Sequence, residues 1–240
     1  VRVDIGSNNE VMLLSTEQST GAIVSFYKEA GAIGHIGIAD SDQILFSRND
    51  VNQGIKLKNS VLMPCNTDGS DSDADQDIGS SSVRWRDLYL SSGVFLGGTG
   101  AVNELHDYEE GTFTPILQNS GGVQPNAYDL QTGFYTKIGR LVHASGTVSP
   151  NGLGSASGGV LLGGLPFDSL STGNNNSSLQ IGHAANLNTA AGRALGGFLP
   201  ANTTNAQVHI YDAADGVSQL QFSELSADGQ LTYAIQYQTP

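Results

Sequence analysis

Carboxylates are the side chains most able to do chemistry in this chain, and they gather in two places. Asp68, Asp71, Asp73, Asp75 and Asp77 fall within ten residues. Alternating aspartates can converge their oxygens on one hard cation such as calcium. The EF-hand loop needs Gly at its sixth position, however, and counting from Asp71 that position is Gln76. Asp71, Asp73 and Asp75 are therefore weak calcium candidates; a solvated acidic loop is expected, and no cofactor. The second group is Asp107, Glu109 and Glu110. A glycosidase holds two carboxylates roughly 5–10 Å apart across a sugar cleft. Glu109 and Glu110 are neighbours and point to opposite faces of a strand, so capping and turning is the expected role of this group. The long repeat of a sugar-cleaving parallel β-helix is also missing.

Nucleophiles and phosphate-binding loops are no better served. Gly154-Ser-Ala-Ser-Gly158 sits in a low-complexity loop and not in a strand-to-helix elbow. Gly93–Gly100 contains no lysine and opens no helix. His35, His106, His143, His183 and His209 are scattered without metal-ligand spacing. Cys65 is the only cysteine, which excludes an intrachain disulfide and a multi-cysteine zinc site. The chain is not expected to be an enzyme. Binding by polar loops remains, since amides, hydroxyls, carboxylates and aromatic faces are the groups that recognise sugars. Two clusters qualify: His209, Tyr211, Asp212 and Asp215, and the run Asn174, Asn175 and Asn176. The competing reading makes Tyr211 a packing residue at a subunit interface and the asparagines turn formers.

The elements that position these groups are strands. Of 240 residues, 31 are Gly, and the hydrophobic share is 38%, a composition of turns and short strands. The net charge of −13 disfavours nucleic acid and anionic membrane surfaces as partners. No apolar run approaches a membrane span, and no signal peptide is visible; an opening at Val1 suggests a fragment or a processed product. Charge is unevenly placed, because residues 141–240 hold five acids and one base, Arg193. Residues 1–64 read as a β-rich shaft with strands near 22–27, 33–38, 43–46, 55–57 and 61–63. Each is too short to own a core, so three copies sharing an axis would form a homotrimeric shaft. Residues 65–110 read as a collar or linker with the acidic loop. Residues 111–240 read as an antiparallel, jelly-roll-like β-sandwich head, clearest where Leu231, Tyr233, Ile235 and Tyr237 alternate with polar residues. Trp85 and Leu88, with Leu90, lie in a strand-like run and are expected to close the collar, with sugar stacking by Trp85 as the alternative.

Four segments carry a resemblance. Asp77-Ile-Gly-Ser-Ser-Ser-Val-Arg-Trp-Arg-Asp-Leu-Tyr-Leu90 resembles a segment of bacteriophage tail fibres and tailspikes. Asp107-Tyr-Glu-Glu-Gly-Thr-Phe-Thr-Pro115, with Gly133-Phe-Tyr-Thr-Lys-Ile-Gly-Arg-Leu-Val142, is similar to the approach to the C-terminal head of such fibres. Gly31-Ala-Ile-Gly-His-Ile-Gly-Ile38 is similar to their shafts. The resemblance spans residues 20–148. It implies an elongated, homotrimeric, all-β virion protein whose head meets a host surface glycan or outer-membrane receptor, beside other phage tail proteins. No lysine follows Lys137, so a Ser–Lys self-cleaving domain of the kind that ends some fibres is not in this chain. A glycan-cleaving tailspike and a purely structural spacer are the alternative functions.

Overall fold

The computed structural model describes residues 21–40, 43–172, 176–212 and 216–240. It is all-β and antiparallel, as the strand spacing implies. The chain divides into two compact units, the first ending at Tyr89 and the second running from Leu90 to Pro240. Among the described residues, no helix is long and apolar enough to cross a membrane.

The first unit is a five-stranded meander: β1 (Gly21–Lys28), β2 (Gly31–Ala39), β3 (Gln43–Arg48), β4 (Gln53–Lys58) and β5 (Val61–Cys65). Of its two-residue turns, Asn59–Ser60 has both residues at positive φ, the geometry that follows the strand twist. Residues directly opposite on paired strands share a face. The ladder therefore aligns Val24, Ile36, Phe46, Ile55 and Pro64 in one row, and Ile38, Ile44, Leu57 and Leu62 in the next. Among the described residues nothing covers these rows: Ile44, Phe46, Ile55 and Leu57 are each about half exposed, and Leu62 is 63% exposed.

The opposite face is small and sealed. Ala39, Leu45 and Cys65 form its core, and burial raises the Cys65 thiol pKa. Segment 66–72 lies across it, with Gly69 so close to Ala39 that an added Cβ would collide. Lys56 holds that segment. It is 2% exposed, donates to the Gly69 carbonyl at 2.7 Å, and pairs with Asp71. The acidic stretch is thus not wholly a solvated loop, because one carboxylate neutralises a buried ammonium. The Lys56 hydrogen bond holds the Asp71 carboxyl below its ordinary range, and the Ser70 hydroxyl does the same for Asp68. Residues 78–90 form no strand: Ser80 and Val83 close a turn, leaving Ile78, Val83, Trp85, Leu88 and Tyr89 exposed. The strand-like alternation around Trp85 has no partner strand, and alternation alone makes no ladder.

The second unit begins with a small pair, β6 (Val94–Phe95) and β7 (Glu104–Leu105). Ten strands then join one sheet. They are β8 (Tyr108–Phe113), β9 (Ile116–Gln118), β10 (Tyr128–Ile138), β11 (Leu141–Pro150), β12 (Leu161–Gly163), β13 (Ser177–Leu187), β14 (Ala194–Leu199), β15 (Ala206–Asp212), β16 (Gly216–Gln219) and β17 (Leu225–Gln238). Their order is β8-β10-β11-β17-β13-β14-β15-β12-β9, with β16 on β15. The layers of the expected sandwich are therefore parts of one continuous ladder. Its ends, β8 and β9, are separated in sequence only by Thr114 and Pro115, so the sheet has to curl. The curl encloses one core, with Leu117, Val142, Val208, Ile210, Leu231 and Ile235 pointing inward.

Two tyrosine hydroxyls pin what the ladder leaves loose. Tyr128 on β10 accepts from the Leu117 N–H and donates to the Leu117 carbonyl, both at 2.9 Å, reaching across to the far edge of the ladder. Tyr237 brackets Phe167 in the same way, at 3.3 and 3.1 Å. Burial pushes the Tyr237 pKa up to about 12. Tyr233, equally buried, has no partner for its hydroxyl, and its ring fits only because residue 146 is glycine.

A buried hydroxyl without a partner carries a desolvation penalty of about 1–3 kcal/mol, whereas a satisfied one contributes about 1 kcal/mol. Urea denaturation should find Tyr237→Phe destabilised by about 1–2 kcal/mol and Tyr233→Phe unchanged or more stable. The Asp71 carboxyl lies below the ordinary value of 3.8 when folded. Its stabilisation is therefore present above that value and is lost as pH falls through the folded value. Thermal melting scanned from about pH 5 to about pH 2 should show a shallower acid decline in Asp71→Asn than in the parent chain.

Candidate functional site

Alternation along the curled sheet separates an apolar inner face from a polar outer one. One outer row crosses eight strands: Thr112, Phe134, Ser145, Ala234, Gln180, Gly196, His209 and Gln219. A neighbouring row carries Glu110, Thr136, His143 and Gln236. Apart from Glu110, the side chains of these rows are hydroxyls, amides, imidazoles and small or aromatic groups. His143, Ser178, Gln180 and Gln236 rim a shallow depression of about 230 Å³ on this face.

The predicted binding residues fall at different places. His209 and Tyr211 lie two residues apart on β15 and share the outer face. The His209 ring meets Phe198 edge-on at 5.2 Å, its Nε2 lies 3.3 Å from Gln207 Oε1, and burial lowers its pKa. Tyr211 is half exposed and lies over Gly196, where a Cβ would meet its ring. Asp212 turns the other way and pairs with Arg193 at 2.7 Å, while Glu224 approaches the same guanidinium at 3.8 Å. Asp215, Asn174 and Asn175 lie outside the described residues.

Strand direction separates the two clusters. β8 starts beside Ile138, so the end of the sheet carrying the Ile138–Leu141 hairpin is proximal, where the chain comes in. Asn176 precedes Ser177 at the proximal start of β13, while Tyr211 and Asp212 end β15 distally. Six residues of strand, about 20 Å at 3.3 Å per residue, lie between these levels. They cannot form one site.

Acids and asparagines near the ends act largely on the protein itself. Asp107, at positive φ, pairs with buried Lys137, which also lies over the Phe167 ring at 5.5 Å. Glu109 accepts from Tyr135 and Glu110 from Tyr108. Distally, Asn119 accepts from the Gly121 and Val123 N–H groups and donates to the Ser157 carbonyl. Asn151 donates to Asp129, Asn186 to Asp228, and Asn188 to the Ser223 carbonyl. The loops were readable as amide-rich, but these amides hold the loops in shape. Among the described residues, no three His, Cys, Asp or Glu side chains gather as a metal site.

The distal half also holds a feature that no motif announces. β13 pairs with β14 only over Ser177–Gln180, against Leu199–Gly196. Beyond Gln180 the strands part, and β13 continues to Leu187 with ladder bonds only to β17. The fork borders an open cleft of about 350 Å³ lined by Gly182, His183, Leu187, Thr189, Arg193 and Leu195 among others. Long-range strand divergence leaves no local signal in sequence.

No protein-family model matches the chain, and no curated protein matches it. Among solved structures, the chain is similar to the Dettilon tailspike protein (gp208), at 21% identity and a TM-score of 0.45. The match covers 55% of this chain and 24% of that one, so the chain spans about a quarter of that protein's length.

Proposed function

We propose that this chain is the stem and receptor-binding head of a bacteriophage tail fibre or tailspike-type virion protein. It assembles as a homotrimer beside other tail proteins and binds a host surface glycan without cleaving it. The observation that carries the reading is the uncovered apolar face of β1–β5. A monomer rarely exposes a contiguous apolar patch of this kind. Full burial of each Ile, Leu or Phe contributes about 1.5–3 kcal/mol, and half-exposed Ile44, Phe46, Ile55 and Leu57 leave part of that unrealised. Copies of the same sheet packed about a common axis would cover it, and the exposed apolar run from Ile78 to Tyr89 extends the demand along the chain. The choice of three copies follows the resemblance of residues 20–148 to tail fibres.

The polar head supports the binding half of the reading. With one base and five acids after residue 140, it presents uncharged amides and hydroxyls, which suit sugar recognition. Weak sites repeated on each trimer, and on several trimers per virion, would sum to strong attachment. Binding without cleavage is favoured because Asp129, Glu224 and Asp228 each hold a neighbouring loop or side chain.

Light scattering on the full chain should give three times the 25.0 kDa chain mass, and Phe46→Ser with Ile55→Ser should lower it. A parent mass of one or two chains would overturn the trimer. Purified chain should block adsorption of the phage that carries it to its host cells and release no product from host polysaccharide. Undiminished adsorption in its presence would sink the receptor-binding reading, and released oligosaccharide would establish cleavage.

A further inference from the structure

The fork between β13 and β14 is a place where the sheet of the second unit opens. Three observations bear on what fits there. First, from Ile181 to Leu187 one side of β13 has no strand paired to it. A strand edge presents N–H donors and carbonyl acceptors by turns, and a sugar hydroxyl both donates and accepts. Second, the exposed lining is mainly polar, with His183, Thr189 and Arg193 beside the small Ala190, Ala191 and Gly192, while Leu187 and Leu195 pack against the core. Third, the charge around the slot opposes anions: Arg193, its cation, is engaged by Asp212 and Glu224. Neither carboxylate lines the slot, so nothing in the wall offers an acid–base pair.

Size decides between a sugar and a peptide. At about 350 Å³ the slot lies at the low end of ligand-sized pockets, roughly 300–1,000 Å³. The strands rejoin at Gln180 and Gly196, which stops the slot at one end. A single sugar ring fits such a space, whereas an added β-strand would find only Ile181–Leu187 to pair with.

We propose that the β13–β14 fork is a binding subsite for one uncharged pyranose residue, the unit through which the head grips its receptor. This inference rests on the receptor-binding reading above and names the site that the reading leaves open. It places recognition in the fork itself and not on the Tyr211 ring, which lies beside it over Gly196.

Gly182 permits a clean test. Its φ is not positive, and a Cβ built there meets nothing within 4 Å, so a large side chain can project without straining the backbone. Saturation-transfer NMR on the full chain would use D-galactose, N-acetyl-D-glucosamine and D-galacturonate as probes. At least one of the two neutral sugars should receive saturation from the parent chain and from Tyr211→Ala. Transfer should fall at least tenfold in Gly182→Phe while its melting temperature holds. Ala191→Trp, on the opposite wall, repeats the test if Gly182→Phe melts early. Undiminished transfer in a stably folded blocking variant, no transfer to either neutral sugar, or preference for galacturonate would each overturn the proposal. The adsorption experiment separates the two readings: if Gly182→Phe blocks adsorption as well as the parent chain, the subsite fails while receptor binding stands.

Discussion

An antiparallel sheet with one apolar face is unfavourable in water until that face is covered. The two units meet this constraint differently. In the second unit the sheet is long enough to curl upon itself, and its two edges are joined by only Thr114 and Pro115. The inner faces of the strands then cover one another, and Tyr128 ties one region of the ladder to the backbone of Leu117 at its far edge. In the first unit five short strands cannot curl so far. The chain folds segment 66–72 over one face and leaves the other bare.

The few basic side chains follow from the same demand. A buried ammonium is tolerated only when paired and hydrogen-bonded. Lys56 meets that condition through Gly69 and Asp71, and Lys137 through Asp107. Arg193, the single base of the last hundred residues, bridges Asp212 at the end of β15 to Glu224 beside β17. Each cation fastens a segment that the ladders do not hold. The outer surface of the second unit is therefore left largely to uncharged polar groups.

Recognition on such a surface needs a concave place with unpaired polar groups. The outer face supplies a depression around His143 and Gln236, and the fork beyond Gln180 supplies a larger, more open cleft. Both arise from pairing: the first from alternation along neighbouring strands, the second from the loss of pairing between β13 and β14. Loop asparagines contribute less directly, since those at 119, 151, 186 and 188 shape the distal turns.

Much of this architecture was legible in the residues. The alternation Leu231, Tyr233, Ile235 and Tyr237 determined both the strand and its buried face, because side chains on a strand alternate. The Gly- and Asn-rich turns determined an all-β chain, and the thinning of charge after residue 140 marked a sparsely charged C-terminal region. Tertiary structure alone decided the rest. Whether Lys56 is a surface lysine or a buried clasp depends on Asp71, fifteen residues away. Whether Tyr237 is satisfied and Tyr233 is not depends on Phe167. β13 runs on unbroken past Gln180, yet only its first part has β14 beside it. Local sequence sets which face a strand buries, but register between distant strands sets which neighbours it meets, and the candidate site is made of those neighbours.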